Sequence, residues 1–233
     1  NLTTRLRSNA EMKLSVLTTI TNPDQRQDKW REALANYMSF ADQVVVVNGG
    51  APLSVGYLFK NPKITIVDLD WPYEWNWVEL PRHFNEGIKY CTGVWIIRLD
   101  IDQLVHEDSF DELYTSLKKV PNHIDVVTMQ KMSFTHGNRY FQKSENFVIF
   151  RKKKGVVIGK DVSAKTDLCF PIQQTGTEPV YNEDGTLLYD LPVGTLTGMH
   201  RTGVRYWNYD YFFKTQDFTR KEFWRMARAY HRY

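Results

Sequence analysis

Cysteine is scarce in this chain, and long apolar runs are missing from it. Only two cysteines, Cys91 and Cys169, occur among 233 residues. Two cysteines are too few for a disulfide framework and lack the spacing of a zinc site, so a reducing compartment, the cytoplasm, is the simpler prediction. No apolar run approaches the roughly 20 residues that cross a bilayer, which predicts a soluble chain without a transmembrane segment.

A large excess of one charge is also lacking. The chain has 30 Lys and Arg against 27 Asp and Glu, a net charge of +3, which argues against a partner among the nucleic acids. A hydrophobic fraction of 42% with 14% aromatic residues can fill a core and excludes disordered and low-complexity classes. We interpret 1–12 as a disordered lead or expression remnant and 13–233 as one domain, because no linker or repeat divides it.

Strands and helices alternate in the first hundred residues. Four apolar runs rich in β-branched residues predict strands: 14–20, 43–47, 64–69 and 94–99. Apolar residues at helical spacing lie between them, and Asn22-Pro23 is a helix-start signal. Apolar strands separated by helices predict an α/β fold with a parallel sheet covered on both faces. Beyond a short helix capped by Asp108 and a strand at 125–129, we expect shorter strands and loops over 132–196.

The most informative pattern is Asp100-Ile101-Asp102, directly after an apolar strand. In extended backbone, residues two apart lie on the same side, so both carboxylates can share one hard divalent cation. Open α/β sheets bind ligands at the carboxyl ends of their strands. The pattern therefore predicts a Mg²⁺ or Mn²⁺ site for a diphosphate, with a pair of solvated loop residues as the alternative.

Two segments before this pattern, and a third that contains it, resemble the family-2-like glycosyltransferases. They are Asn85-Glu86-Gly87-Ile88, Cys91-Thr92-Gly93-Val94-Trp95 and Leu99-Asp100-Ile101-Asp102. The run 14–22 is similar to the first strand and nucleotide loop of that family. The resemblance covers about residues 13–105 and implies a GT-A fold, a Rossmann-like, mostly parallel sheet flanked by helices, with a mixed second half.

The resemblance also implies an activity. It implies an enzyme of hexosyltransferase type that moves a sugar from a nucleoside diphosphate sugar to a hydroxyl of an acceptor glycan. A UDP-sugar is the first candidate for the donor. The reaction would depend on Mn²⁺ or Mg²⁺ and would invert the configuration of the sugar. The nucleotide would bind in 13–105 and the acceptor in 106–233. Two alternatives stay open: an aspartate-nucleophile phosphohydrolase, whose first motif is similar to a strand ending in Asp-Ile-Asp, and a non-catalytic sugar-binding module on the same fold.

Candidate donor contacts lie where the first strands end. The candidates are Thr18, Thr19, Thr21 and Asn48. Their side chains are able to hydrogen-bond a base and a ribose. The alternative for the threonines is that they are β-branched residues that pack within a strand. The family commonly has an acidic residue where Asn48-Gly49-Gly50 stands, and another where Gln103 follows Asp102. Arg82 is carried over as a phosphate or base contact, although it is offset from the arginine of the family.

A third cluster lies late in the chain. His200 lies between Gly198 and Gly203, and the resemblance implies that it is the third metal ligand or a diphosphate contact, with a structural histidine as the alternative. Arg201 and Arg205 would add positive charge for a diphosphate. We therefore assign Arg201 to the donor site with Asp100.

The general base is the least defined assignment. The resemblance implies an acidic residue in the second half, and five qualify by position: Asp161, Asp167, Glu178, Glu183 and Asp184. Asp161 follows a strand and turn at 156–159 and ranks first, with Glu178 second.

Aromatic and basic segments have competing interpretations. The tryptophan-rich loop 71–77 and the aromatic run 206–213 either present rings to a base or sugar or pack on the core. Arg151-Lys152-Lys153-Lys154 is predicted to be a hairpin turn that protects a strand edge. The segment 219–233 has the spacing of an amphipathic helix docked on the core, with a membrane-surface role as the minority interpretation.

Overall fold

The computed structural model describes residues 12–50, 60–71, 79–135, 139–153, 156–160, 169–173, 180–181, 187–188, 199–209, 212, 214–215, 217–218 and 221. The elements within these ranges, in chain order, are β1 (Leu14–Ile20), α1 (Trp30–Phe40), β2 (Gln43–Asn48), β3 (Ile64–Asp68), α2 (Glu79–Tyr90), β4 (Trp95–Arg98), β5 (Gln103–Val105), α3 (Phe110–Lys119), β6 (Val126–Thr135), β7 (Arg139–Arg151), β8 (Val156–Lys160), β9 (Cys169–Gln173), β10 (Val180–Tyr181), β11 (Leu187–Leu188) and β12 (Met199–Asn208). A 3₁₀ turn, Glu107–Ser109, precedes α3.

Eight of these strands form one sheet in the order β3-β2-β1-β4-β7-β6-β12-β5. β1 pairs in parallel with β2 on one side and with β4 on the other, and β2 pairs in parallel with β3. The chain thus adds strands outward from β1 as far as β3 and then returns to the opposite side of β1. This reversal of strand order makes the β1–β4 boundary a topological switch point.

Helices cover both faces of the parallel strands. On one face, the buried side chains of α1 and α3 pack against alternate residues of the sheet, among them Val16, Val44 and Ile97. On the other face, α2 packs Phe84 and Ile88 against the remaining strand residues. Burial on both faces explains why β1 and β2 read as continuous apolar runs.

The first helix begins later than its start signal predicted. Asn22-Pro23 opens a series of turns, and Asn22 itself has a left-handed φ of 44°. The helix starts at Trp30, the first of its buried residues. In α3, likewise, Asp108 belongs to the preceding 3₁₀ turn, where its backbone N–H donates to the side chain of His106.

The second half contains two strands that are longer than the sequence suggested. β6 has 10 residues and β7 has 13, and they pair with each other antiparallel, so the expectation of short strands and loops from 132 onward is wrong for this part. Cross-strand pairing, which single-sequence periodicity does not report, sets their length. β12 pairs parallel with β6 and antiparallel with β5.

The predicted hairpin turn at Arg151 is also wrong. Arg151 pairs with Trp95 of the interior strand β4, and its guanidinium lies 4.1 Å from the Trp95 ring centroid. The same group donates hydrogen bonds to three carbonyls, those of Val120, Pro121 and Ile124. The next strand, β8, pairs with β9 instead of turning back on β7. Arg151 therefore ties the sheet to the α3–β6 connection.

The predicted α/β class is confirmed, because a parallel sheet between helices continues into a mixed second half. None of the helices in the described part of the chain combines the length and apolar character that a membrane crossing requires.

Candidate functional site

A cleft lies at the switch point between β1 and β4. The residues that line it are Gln27, Asp28, Lys29, Ile101, Asp102, Leu104, Tyr209 and Lys214. These residues come from the loop after β1, the β4–β5 connection, β5 itself and the segment after β12. The cleft is therefore at the carboxyl ends of parallel strands, where open α/β sheets bind ligands.

The two candidate metal ligands lie in a turn. β4 ends at Arg98, and the backbone N–H of Gln103 donates to the Asp100 carbonyl at 2.9 Å, which closes a four-residue β-turn. The expectation that Asp100 and Asp102 follow the alternation of an extended strand is wrong. The turn, instead of the strand pleat, sets the relative position of the two carboxylates.

Gln103, the last residue of the turn, holds the Asp100 carboxylate. Its side-chain Nε2 donates to Asp100 Oδ2 at 2.9 Å, and its Oε1 accepts from the Asp100 backbone N–H at 3.1 Å. Gln103 is 2% exposed. Because both atoms of its amide are engaged, Gln103 fixes both the backbone and the carboxylate of Asp100.

Tyr37 of α1 lies beneath the turn. Its hydroxyl is within 2.7 Å of the Asp100 carbonyl and 2.8 Å of the Gln103 carbonyl. Burial, followed by the negative charges of Asp102 and Asp100, raises the pKa of Tyr37 well above its ordinary value.

A buried ion network borders the cleft on the side of the β1 loop. Asp28 accepts from Lys214 Nζ at 3.0 Å and from Arg26 Nε at 3.0 Å, and the Asp28 and Lys214 side chains are 2% and 6% exposed. The backbone N–H of Thr215 donates to Gln27 Oε1, and Gln27 has a left-handed φ of 58°, which is uncommon for a residue with a long side chain. This network fastens the segment after β12 to the loop after β1.

The predicted donor contacts separate into two groups. Thr18 is fully buried in the sheet, a placement that favours the β-branched packing alternative. Thr19 and Thr21 are partly exposed at the sheet edge. A Cβ built on Gly49 would lie 2.5 Å from Thr21 Oγ1, so the loops after β1 and β2 are in close contact only because residue 49 is glycine.

Asn48 joins the ends of β2 and β3. Its Nδ2 donates to Asp68 Oδ1 at 2.8 Å, and its carbonyl accepts from the Leu69 N–H. The structure thus places the Asp68 carboxylate against the side-chain amide of Asn48. Asp68 was missed by sequence reasoning, although its place at the end of an apolar strand was a usable signal.

Arg82 lies in α2 with a partner on its own helix. Its Nη1 donates to Glu79 Oε2 at 2.8 Å, and its side chain is 46% exposed. The neighbouring His83 is fully buried, within 2.8 Å of the Leu69 carbonyl and with its ring centroid 4.2 Å from that of Trp71; burial lowers its pKa. α2 is thereby tied to the loop after β3, and Arg82 itself is accessible to a ligand.

His200 does not lie near the Asp100–Gln103 turn. It pairs with Val127 early in β6, whereas Asn208 pairs with the β6 residue six positions later. At about 3.3 Å per residue, the two positions on β12 are about 20 Å apart. Gln103 pairs with Asn208, so Asp102 lies at the far end of β12 from His200. The prediction that His200 completes the same metal shell is wrong.

Arg201 follows His200 in β12 and is exposed at the same end of that strand. A residue there is too far from Asp102 to contact a diphosphate held by it, so the donor-site assignment of Arg201 is also corrected. The sequence signal misled because a Gly-flanked His-Arg pair indicates accessibility but not which end of a long strand it occupies. The cations that line the cleft are Lys29 and Lys214, and no sequence motif indicated either of them.

The described residues include no cluster of three or more His, Cys, Asp and Glu side chains suited to a metal ion. Asp100 and Asp102 supply hard oxygen ligands beside a cleft, a donor set that fits Mg²⁺ or Mn²⁺ when water and ligand oxygens complete the shell. The candidate bases Asp161 and Glu178 lie outside the described residues, as do most of the tryptophan-rich loop and the segment 219–233.

An aromatic cluster lies beside the turn, at the ends of β6 and β12. Phe134 stacks with Trp207 and with Tyr209 at centroid distances of 5.1 and 4.8 Å, and Phe212 lies 5.6 Å away. The backbone N–H of Tyr209 donates to the Asp102 carbonyl at 2.9 Å. Trp207, Tyr209 and Phe212 of this run therefore pack on Phe134 of β6, and Tyr209 also contacts the turn.

Comparisons with known proteins gave structural neighbours alone: no family model and no curated protein matches the chain. Residues 1–349 of S. aureus TarS in complex with UDP match at 18% identity and a TM-score of 0.41, over 55% of this chain and 38% of that one. The complex of TarS 1–349 with UDP-GlcNAc matches at 17% identity and a TM-score of 0.43, over 55% of this chain and 36% of that one. TarS 1–349 without a named ligand matches at 15% identity and a TM-score of 0.47, over 84% of this chain and 60% of that one. The chain spans less than two thirds of each of these neighbours.

Proposed function

We propose that this chain is a glycosyltransferase that uses a nucleoside diphosphate sugar, with Mn²⁺ or Mg²⁺ held by Asp100 and Asp102. The observation that supports this most is the position of the Asp100–Gln103 turn. It follows β4 at the topological switch point and presents Asp102 to the cleft. Carboxylates at such a point suit a metal-bound diphosphate.

The nucleotide, UDP first, would lie over the ends of β1, β2 and β3. Thr19 and Thr21 offer hydroxyls at that edge, and the Asn48–Asp68 pair offers an amide and a carboxylate. These groups are suited to the hydrogen-bonding edges of a base and to a ribose. Arg82 stays a candidate phosphate or base contact.

The metal would act as a Lewis acid that stabilises the diphosphate as the sugar bond breaks. The chain's own contribution lies in the cleft, where Lys214 and Lys29 accompany Asp102. Ammonium groups there favour a diphosphate by charge-assisted hydrogen bonds. In the proposal, Lys214 takes the diphosphate role that the sequence suggested for Arg201.

The acceptor would be a glycan hydroxyl that enters from the second half, with inversion at the transferred hexose. The cluster around Phe134 borders the cleft through Tyr209, and aromatic rings are suited to the apolar faces of sugars. Asp161 and Glu178 remain the proposed bases, because an acceptor hydroxyl must lose its proton during transfer.

Thermal unfolding in the presence of UDP or UDP-GlcNAc, with and without Mn²⁺, tests the proposal. Ligand at 100 times its Kd stabilises the folded state by about 2.7 kcal/mol, so the wild type should show a Mn²⁺-dependent rise in Tm. Asp102→Asn should lose that rise. Asp108→Asn is the matched control, because the Asp108 side chain is 90% exposed and lies outside the cleft.

Two results would contradict the proposal. One is a wild type that no nucleotide stabilises in a Mn²⁺-dependent way. The other is Asp102→Asn responding to Mn²⁺ and UDP as strongly as Asp108→Asn. Turnover of UDP-GlcNAc, followed as release of UDP, then distinguishes a transferase from a sugar-binding module.

A further inference from the structure

The segment that carries the two carboxylates has little support from the sheet. β5 has three residues and occupies the end of the sheet order, next to β12. Further contacts to the segment come from α1. Two adjacent residues of that helix, Asn36 and Tyr37, make four hydrogen bonds to the backbone of residues 100–105.

Each of the two residues holds a different part of the segment. The single O–H of Tyr37 is shared between the carbonyls of Asp100 and Gln103, the two residues that close the turn. The Asn36 amide bonds both backbone groups of Val105: Nδ2 donates to the carbonyl at 2.7 Å, and Oδ1 accepts from the N–H at 3.0 Å. Together they fix both ends of the segment.

We propose that Tyr37 and Asn36 are positioning residues that hold the Asp100–Gln103 turn in its metal-binding shape. This inference rests on the proposed function. Tyr37 is fully buried and packs edge-on against Phe40, so its ring stays in place when only the hydroxyl is removed. Groups that orient metal ligands without touching the metal commonly change metal affinity or activity 10- to 100-fold.

The test is Tyr37→Phe, with Mn²⁺ titrated in the presence of saturating UDP. The variant should bind Mn²⁺ about 10- to 100-fold more weakly. Tyr114→Phe is the matched control: the Tyr114 hydroxyl also donates to a backbone carbonyl, that of Phe40, at 2.6 Å, but it does not contact the turn. Tyr114→Phe should bind Mn²⁺ as the wild type does.

Amide hydrogen exchange gives a readout that does not require the proposed activity. Because the Gln103 N–H is bonded within the turn, its exchange should accelerate at least about tenfold in Tyr37→Phe and stay unchanged in Tyr114→Phe. Asn36→Ala should accelerate exchange at Val105 and weaken Mn²⁺ binding in the same direction, and it serves as the second variant if Tyr37→Phe does not fold.

The outcomes separate the two proposals. If the wild type binds no Mn²⁺, the metal site of the proposed function is wrong, and exchange at Gln103 alone decides whether Tyr37 holds the turn. If the wild type binds Mn²⁺ and neither Tyr37→Phe nor Asn36→Ala changes its affinity, the positioning role is overturned while the proposed function stands.

Discussion

Asp28→Asn is the substitution whose effect follows most directly from the structure. Asp28 receives Lys214 on one carboxylate oxygen and Arg26 on the other, each at 3.0 Å. The asparagine has nearly the same shape and no charge. It therefore leaves the Lys214 ammonium, whose side chain is 6% exposed, beside an amide instead of a carboxylate.

The size of the effect depends on burial. Removing one partner of a buried ion pair costs about 3 to 5 kcal/mol, because the other charge remains desolvated. The pair formed by Glu86 and Lys89 has a similar distance of 2.8 Å, but its side chains are 29% and 57% exposed. Exposed pairs contribute about 0 to 1 kcal/mol, so Glu86→Gln is the matched control.

Urea unfolding followed by tryptophan fluorescence measures both variants. Asp28→Asn should lower the free energy of unfolding by about 3 to 5 kcal/mol, and Glu86→Gln by less than about 1 kcal/mol. The double variant Asp28→Asn/Lys214→Met should recover part of the loss, because it removes the buried charge. A loss in Asp28→Asn no larger than that in Glu86→Gln would refute this account of the network.

Two further predictions concern the face of the sheet that α2 covers. Gly87→Ala should lower the free energy of unfolding by about 1 to 3 kcal/mol, because its Cβ would lie 2.7 Å from Val47 Cγ2 and closer still to Leu17 Cδ1. The control in urea unfolding is Gly203→Ala, whose Cβ would meet only the end of the Glu112 side chain. Equal stability of the two variants would contradict the packing argument. Burial raises the pKa of the Cys91 thiol to about 12, so roughly one molecule in ten thousand carries the thiolate at pH 8. Iodoacetamide should therefore leave Cys91 unmodified in the native protein and modify it in urea, as read by peptide mass; equal rates in both states would contradict this prediction.

The parallel half of the fold could be predicted because its signals are local. The apolar residues of β1 and the valines of β2 are buried whichever face of the sheet they lie on. A strand that is buried on both faces has a continuous apolar run in its sequence. The face of α1 formed by Trp30, Leu34 and Tyr37 followed from helical spacing.

The site could be predicted only to the level of its strand. Asp100 and Asp102 were found because they follow β4, but their geometry depends on Gln103 and Tyr37, and the phenol is 63 residues from its partner Asp100. A contact between residues so far apart in sequence produces no periodic pattern in the sequence. His200 was misplaced for the same reason, since its distance from Asp102 follows from the pairing of β12 with β6.

The cleft depends on three tethers that join remote parts of the chain. Tyr37 holds the turn from the helix side, Tyr209 holds it from the second half through the Asp102 carbonyl, and Asp28 binds Lys214 across the loop after β1. Two of these three tethers connect residues 13–105 to the segment after β12. A ligand that bridges Asp102 and Lys214 would therefore bind only when both halves are docked, and its binding should stabilise that docked arrangement.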